Sequence, residues 1–229
     1  MKEDLVLSIG GSILIPEDDN ASNIKDLARV IIDASKDKNL YLVVGGGKTA
    51  RRYINWGRDL GANEASLDDL GIETSRLNAR LLIIALGKSV YSVPAKNFDE
   101  AVSAGNHYPI VTMGGTHPGH TTDAVAAMLA ERLHAKRMIN VTSVDGVYTA
   151  DPKKDPNAEK IESMDYDKLI GIVSKGERGA GPNIVFDPLA AKIIKRADIT
   201  TQIVSGYDLD NLRKVMENEE FTGTTVSSI

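Results

Sequence analysis

Four apolar runs in this chain lead into glycine, and that recurrence restricts the fold more than any other feature. Leu5-Val6-Leu7-Ser8-Ile9 enters Gly10-Gly11, and Leu40 to Val44 enters Gly45-Gly46-Gly47. Pro109 to Met113 enters Gly114-Gly115, and Met138 to Thr142 leads to the turn Asp145-Gly146. Short continuous apolar runs suit strands buried on both faces. Between them Ile24, Leu27, Ala28, Ile31 and Ile32 share one face of a helix over 22–36. Further helices are expected over 49–60, 66–86, 98–104, 122–133, 166–174, 187–196 and 209–217. Strands are also expected at 89–93 and 201–204, with an edge strand in the last seven residues. Strands alternating with helices predict an α/β protein, with a central mainly parallel sheet and helices on both faces. Ligands of such sheets sit at the carboxyl ends of the strands. One glycine ending is an ordinary tight turn. Four on one edge predict a floor where backbone must approach a ligand closely.

The 229 residues fit one large domain, with no repeat and no linker that would split it. Apolar residues at 42% and charged residues at 26% exclude a disordered chain. Net charge is −5, which excludes holding nucleic acid by bulk electrostatics, and 5% aromatics offer no stacking platform. With no cysteine, disulfides, thiolate zinc sites, Fe–S clusters and a thiol nucleophile are excluded. Lys, Arg, Asp, hydroxyls, His, backbone amides and a hard cation are left to carry the chemistry. No signal-peptide pattern follows Met1-Lys2-Glu3-Asp4, and the longest apolar run, Leu81 to Leu86, is too short to span a bilayer. A cytoplasmic protein is the expectation.

The stretch Gly45-Gly46-Gly47-Lys48-Thr49 is not a P-loop, because that pattern needs a glycine where Leu42 stands. It is a poor dinucleotide fingerprint too, since residues 51–69 hold no apolar strand ending in an acid. Plainer physics fits better. A glycine run opening a helix offers unshielded N–H groups to an anion. Lys48, Arg51 and Arg52 follow within a turn, where the helix dipole disfavours cations unless an anion compensates. The pattern therefore predicts a phosphate site.

Residues 112–123, Thr-Met-Gly-Gly-Thr-His-Pro-Gly-His-Thr-Thr-Asp, lie between a strand and a helix. His117 and His120 lack the further ligands of a zinc site. Thr121 or Thr122 capping a helix accounts for the end of this stretch but not its beginning. A loop that recognises a small polar ligand accounts for the whole. Residues 142–152, Thr-Ser-Val-Asp-Gly-Val-Tyr-Thr-Ala-Asp-Pro, are informative only together. Residues 149–157 read as a polar loop, and 175–183, Gly-rich and polar, as a mobile one.

Together these segments resemble the amino acid kinase family, and within it the archaeal-type uridylate kinases. The resemblance rests on Gly10-Gly11-Ser12, Gly45-Gly46-Gly47-Lys48 with Ala50-Arg51, residues 114–123, residues 144–152 and Asp187-Pro188-Leu189-Ala190-Ala191-Lys192, in the family's order along nearly the whole chain. It implies a three-layer α/β/α sandwich, an acceptor lobe over roughly 1–135 and an ATP lobe over roughly 136–229. It implies transfer of a phosphoryl group from ATP, with Mg²⁺, to UMP, giving UDP for pyrimidine nucleotide synthesis, in a homohexamer. Carried over, Gly11, Ser12, Gly47 and Arg51 would meet the ATP phosphates, and Thr142, Tyr148 and Asp151 the adenosine. Gly46 and Asp68 would meet UMP, with Thr116, His117, Pro118, Gly119, His120, Thr121 and Thr122 around its uracil and ribose. Lys48 and Arg51 are the expected catalytic charges. Asp145 and Asp187 are candidates to orient a lysine or a metal-bound water, although each also suits a plain turn or cap. No direct metal ligand is assigned. Many family members carry a lysine where this chain has Ser8, so Lys48, Arg51 and Mg²⁺ are expected to compensate.

Two other readings share the motifs. A related kinase acting on isopentenyl phosphate or an amino acid would leave the polar 116–122 loop or Asp68 without a role. A non-catalytic nucleotide or oxyanion binder would suit Ser8 but leave Tyr148 and Asp151 unexplained.

Overall fold

The computed structural model describes residues 2–16, 21–150, 155–176 and 186–228. Asp151, part of the 149–157 loop and most of the 175–183 loop lie outside these residues. The elements in order are β1 (Glu3–Ile9), α1 (Gly11–Leu14), α2 (Ser22–Ala34), β2 (Lys38–Val44), α3 (Gly47–Asp59), α4 (Glu64–Leu86), α5 (Phe98–Gly105) and β3 (Ile110–Met113). There follow α6 (Thr122–Leu133), β4 (Arg137–Thr142), β5 (Val147–Tyr148), β6 (Lys160–Ile161), β7 (Ser163–Met164), α7 (Tyr166–Gly176), α8 (Pro188–Ala197), β8 (Thr200–Ser205), α9 (Leu209–Glu217) and β9 (Thr224–Val226).

Among the described residues one seven-stranded sheet has the order β3-β2-β1-β4-β8-β9-β7. The first five strands are parallel neighbours, and β9 pairs antiparallel to β8 and parallel to β7. Side-chain alternation divides the core between two faces. Leu5, Leu7, Ile9, Leu40, Leu42 and Val44 pack with residues of α2, α4 and α9. Val6, Tyr41, Val43, Val111 and Met113 pack with residues of α5, α6, α7 and α8. This is the expected three-layer sandwich. The strand order reverses at β1, which lies between β2 and β4. The reversal opens a crevice at the carboxyl ends of the strands, where Gly10, Gly45 and Gly114 follow directly and Asp145-Gly146 lies three residues on.

The expected strand at 89–93 is reduced to isolated bridges, Val90 to Ile110 and Ala95 to Met113. Pro94 has no N–H to give the ladder, and the chain bends over Ser92 and Val93. The expected C-terminal edge strand, β9, is instead flanked on both sides, and the two-residue β7 is the edge. Strands of two residues have no readable period, so β5, β6 and β7 escape a sequence reading.

Arg137 ties the amino end of β4 to its surroundings. Its guanidinium donates to Glu3 (2.8 Å), to Asn218 Oδ1 (3.1 Å) and to the carbonyls of Val215 (3.2 Å) and Met216 (3.1 Å). Those carbonyls belong to the last turn of α9, where helix carbonyls run short of donors, although Val215 also accepts the Asn218 N–H at 3.2 Å. The Arg137 side chain is only 12% exposed, so water replaces it poorly. We expect Arg137→Ala to cost about 2–3 kcal/mol in urea unfolding. A loss within experimental error would show that these carbonyls find other donors.

Candidate functional site

The site is built where the loops after β1 and β2 meet. A Cβ on Gly11 would lie 2.3 Å from the Gly45 carbonyl oxygen and 2.4 Å from the Gly47 nitrogen. Gly47 itself has φ +63°, and a Cβ there would lie 2.5 Å from the Gly11 carbonyl carbon. Only glycine permits that approach and that conformation. Behind the loop, buried Asn78 of α4 donates its side-chain amide to the carbonyls of Gly45 (2.9 Å) and Gly46 (3.2 Å). With these carbonyls held from behind, the peptide planes of the loop are fixed before any ligand arrives.

Gly47 begins α3, whose first turn holds no acid. Arg51, one turn on, donates to Ser12 Oγ at 3.1 Å and so bridges the two glycine loops. Lys48 is exposed beside it. Arg52 departs from expectation: its guanidinium lies 5.9 Å from the Trp56 ring centroid, further along the helix. The basic cluster at the floor is thus Lys48 and Arg51.

A cleft of about 370 Å³ opens next to this floor, within the size range of small-ligand sites. Gly46, Asp68, Gly119, His120, Thr121 and Thr122 line it, as expected, together with Ile54, Ile72 and Ser75. Thr116, His117 and Pro118 belong to the same loop but not to the lining. Asp68 Oδ2 accepts the Gly119 N–H at 2.7 Å and closes the loop against α4. Gly119 has φ +85°, a conformation natural to glycine. Thr121 caps α6 through its bond from the Ala124 N–H. Thr116 Oγ1 and His120 Nδ1 are buried without a hydrogen-bond partner among the described residues. Buried polar atoms of this kind call for a bound partner.

On the other side of β1, Gly10 N–H donates to the Val141 carbonyl (2.9 Å), which brings Thr142 against the Gly10 loop. Asp145 accepts from the Tyr148 hydroxyl at 2.9 Å and from Lys160 at 3.1 Å. Burial raises the Asp145 carboxyl, but the bonds from Tyr148 and Lys160 outweigh it and leave the group below its ordinary value. Asp187 caps α8 through the Ala190 N–H at 2.7 Å, with Pro188 at the first helical position.

A model of the amino acid kinase family matches residues 5–205. The chain belongs to that family. It is 46% identical to a uridylate kinase of Thermococcus kodakarensis over 97% of this chain and 98% of the relative. It is 43% identical to a uridylate kinase of Methanobrevibacter smithii over 98% and 99%. A crystal structure of uridylate kinase from Archaeoglobus fulgidus matches with a TM-score of 0.89 and 44% identity, covering 99% of this chain and 100% of that one. A UMP kinase structure from Ureaplasma parvum, at 24% identity, shares the fold with a TM-score of 0.83 and full coverage of both chains.

Where many amino acid kinases carry lysine, this chain has Ser8, which is 1% exposed and donates to Asp123 Oδ1 at 2.7 Å. By sequence Asp123 is simply an acid in the first turn of the helix expected over 122–133. In the structure it lies at the carboxyl edge of β1 beside Asp187. Burial pushes its carboxyl from 3.8 up to about 6. The Ser8 hydroxyl opposes the rise, the Asp187 charge adds to it, and the Asp187 N–H opposes it again. Ser75, Asn78 and Lys160 were also passed over. Each is a single polar residue within an apolar or charged run, and only the fold turns it toward a glycine loop or an acid.

A carboxyl whose folded-state value lies above its unfolded one takes up a proton on folding. Its stabilising contribution is complete below about pH 4, declines as pH rises towards 6, and is gone above that. The residue keeps partial exposure, which moderates the effect. We expect Asp123→Asn to gain on the order of 2 kcal/mol of relative stability between pH 4 and pH 7. Urea unfolding of both proteins across that range measures it, and a difference that does not change with pH would refute the assignment.

Proposed function

We propose that this chain transfers the γ-phosphoryl group of ATP to UMP, giving UDP and ADP. The observation that carries the reading is the glycine floor, where Gly11 and Gly47 touch backbone to backbone and Arg51 bridges their loops. The uridylate kinase relatives, matched over nearly their whole length, support the choice of acceptor. Both reactants are anions, so the protein's task is to align them in line and neutralise the charge that spreads over the transferred oxygens. Gly11, Ser12, Gly47 and Arg51 hold the ATP phosphates, with Thr142, Tyr148 and Asp151 towards the adenosine. Gly46 and Asp68 hold UMP, with the 116–122 loop around its base and sugar. The unpartnered Thr116 Oγ1 and His120 Nδ1 are suited to uracil's mixed donors and acceptors.

Lys48 and Arg51 supply the neutralising charge. Asp145 and Asp187 are already engaged by Lys160, Tyr148 and the cap of α8. They hold donor-side elements in place rather than accept a proton, and a phosphate nucleophile at neutral pH needs no general base. Among the described residues no three His, Asp or Glu converge, so Mg²⁺ would ride chiefly on phosphate oxygens and add positive charge between the reactants.

The same reading places the enzyme in the cytoplasm, in pyrimidine nucleotide synthesis, as a homohexamer. An apolar stripe on α4 supports assembly: Leu70, Leu77, Leu81 and Ile84 are all solvent-exposed on one helical face, Ile84 by 71%.

Coupled detection of ADP, with ATP, Mg²⁺ and UMP, CMP, dUMP or isopentenyl phosphate in turn, tests the acceptor. UMP-dependent turnover is expected; turnover only with another acceptor, or with none in folded protein that binds ATP, would overturn the proposal. Arg51→Ala is expected to lower kcat by about a hundredfold or more with little change in Tm, because an exposed side chain contributes little to stability. Asp68→Asn is expected to raise KM for UMP more than KM for ATP. Equal changes in the two constants would remove Asp68 from the acceptor site.

A further inference from the structure

One stripe of α4 faces the cleft beside the glycine floor. Asp68, Gly71, Ser75 and Asn78 recur at three and four residues, so they share one side of the helix. Asp68, Gly71 and Ser75 line the cleft, and Asn78 holds the carbonyls of Gly45 and Gly46. The loop after β3 lies directly on this stripe. A Cβ on Gly114 would stand 2.5 Å from Ser75 Oγ and 2.8 Å from the Arg76 nitrogen, and one on Gly115 would stand 3.0 Å from Ile72 Cγ1.

Ser75 is 2% exposed. Its hydroxyl donates to the Ile72 carbonyl at 2.7 Å, a bond back along the helix that commits its proton. The oxygen is left as an acceptor, and the Gly115 N–H donates to it at 2.8 Å. The Gly115 carbonyl in turn accepts from Arg76 Nε at 3.2 Å. Both polar groups of Gly115 are thus held by neighbouring residues of one helix, which fixes the peptide planes on either side of it. Four residues on, the Gly119 N–H is held by Asp68. The loop is pinned twice to a rigid element, and each pin adjoins a polar side chain with nothing to bond. Thr116 follows Gly115 and His120 follows Gly119, and Thr116 Oγ1 and His120 Nδ1 are the buried atoms without a partner.

We propose that Ser75 is a positioning residue for the acceptor: by holding Gly115 it aims Thr116 Oγ1 at the acceptor's base and so takes part in choosing that base. The inference rests on the phosphoryl-transfer reading above and adds to it a residue that need not touch either reactant. Hydrogen bonds weaken steeply with misalignment, so a Gly115 peptide free to rotate spoils the contact one residue further on. The bridge from Arg51 to Ser12 lies on the other glycine loops and does not pass through Ser75. Losing the anchor therefore acts on acceptor binding and selection, and leaves the transfer step between bound reactants in place.

Steady-state kinetics of wild type, Ser75→Ala and Ser75→Thr with UMP and CMP test the proposal, together with hydrogen exchange at the Gly115 amide. Wild-type turnover with UMP checks the underlying reading by itself; if another acceptor is the one used, the same comparison is made with that acceptor. Ser75→Ala is expected to raise KM for UMP about tenfold, the equivalent of about 1.4 kcal/mol, with kcat and KM for ATP within about twofold. It is also expected to narrow the preference for UMP over CMP and to speed exchange of the Gly115 amide. Ser75→Thr, which keeps the hydroxyl, is expected to restore all three properties. Tm falls in Ser75→Ala on a purely structural role as well, because the Gly115 N–H loses its acceptor, so Tm does not decide. If Ser75→Ala fails to fold, Arg76→Met, which frees the Gly115 carbonyl, is expected to give the same split at smaller size. An unchanged KM for UMP, KM values for UMP and ATP that rise together, or Ser75→Thr behaving as Ser75→Ala overturns the inference.

Discussion

The loops leaving β1 and β2 touch backbone to backbone, and the rest of the site depends on that contact. With any side chain at residue 11, a Cβ would stand 2.3 Å from the Gly45 oxygen, and the two strand ends would have to separate. Because they do not, the two loops stay in contact, and Arg51 in the first turns of α3 reaches Ser12 after β1. The floor is prepared in advance: Asn78 holds the carbonyls of Gly45 and Gly46 from behind, and Asp68 holds Gly119. Binding two polyanions then requires little rearrangement, which is the condition under which fixed dipoles lower a barrier most.

The same edge of the sheet shows how the chain manages without a lysine at the end of β1. Ser8 is buried and its hydroxyl is committed to Asp123, so residue 8 presents no charge to the floor. A half-buried carboxylate close to a site for two anions would repel them. Its elevated proton affinity, up to about 6, lessens that repulsion at mildly acid pH, and the hydrogen bonds from Ser8 and from the Asp187 N–H fix its orientation. In the proposed reaction the positive charge comes instead from Lys48 and Arg51 at the start of α3, whose first turn holds no acid, and a bound phosphate would offset their unfavourable place in the helix dipole.

Much of this was legible in the sequence because it rests on local rules. The apolar runs ending at residues 9, 44 and 113 have lengths and glycine endings that leave few alternatives, whereas the reversal of strand order at β1 emerges only in the folded sheet. The loop at 114–122 was readable from its density of glycine, threonine and histidine. What was not readable depends on distant residues meeting. Asn78 sits in the middle of a helix as one polar residue among apolar ones, and only α4 packing behind β2 gives it the Gly45 carbonyl. Arg52 looked equivalent to Arg51, yet one residue is 100° of helical rotation, enough to send it to Trp56. The 89–93 strand is cut short by Pro94, β5 and β6 are two-residue strands that pair only with each other, and β7 owes its pairing to Thr225 and Val226, far along the chain.

The central claim is that one floor, made by the contact of two glycine loops, serves both anions. Separate titration of folded Gly11→Ala and wild-type protein with a non-hydrolysable ATP analogue and with UMP tests it most directly. A methyl group wedged between the loops is predicted to weaken both ligands together, each by about a hundredfold or more, equivalent to about 2.7 kcal/mol. Near wild-type affinity for both, or loss of one ligand with the other unchanged, would contradict a shared floor.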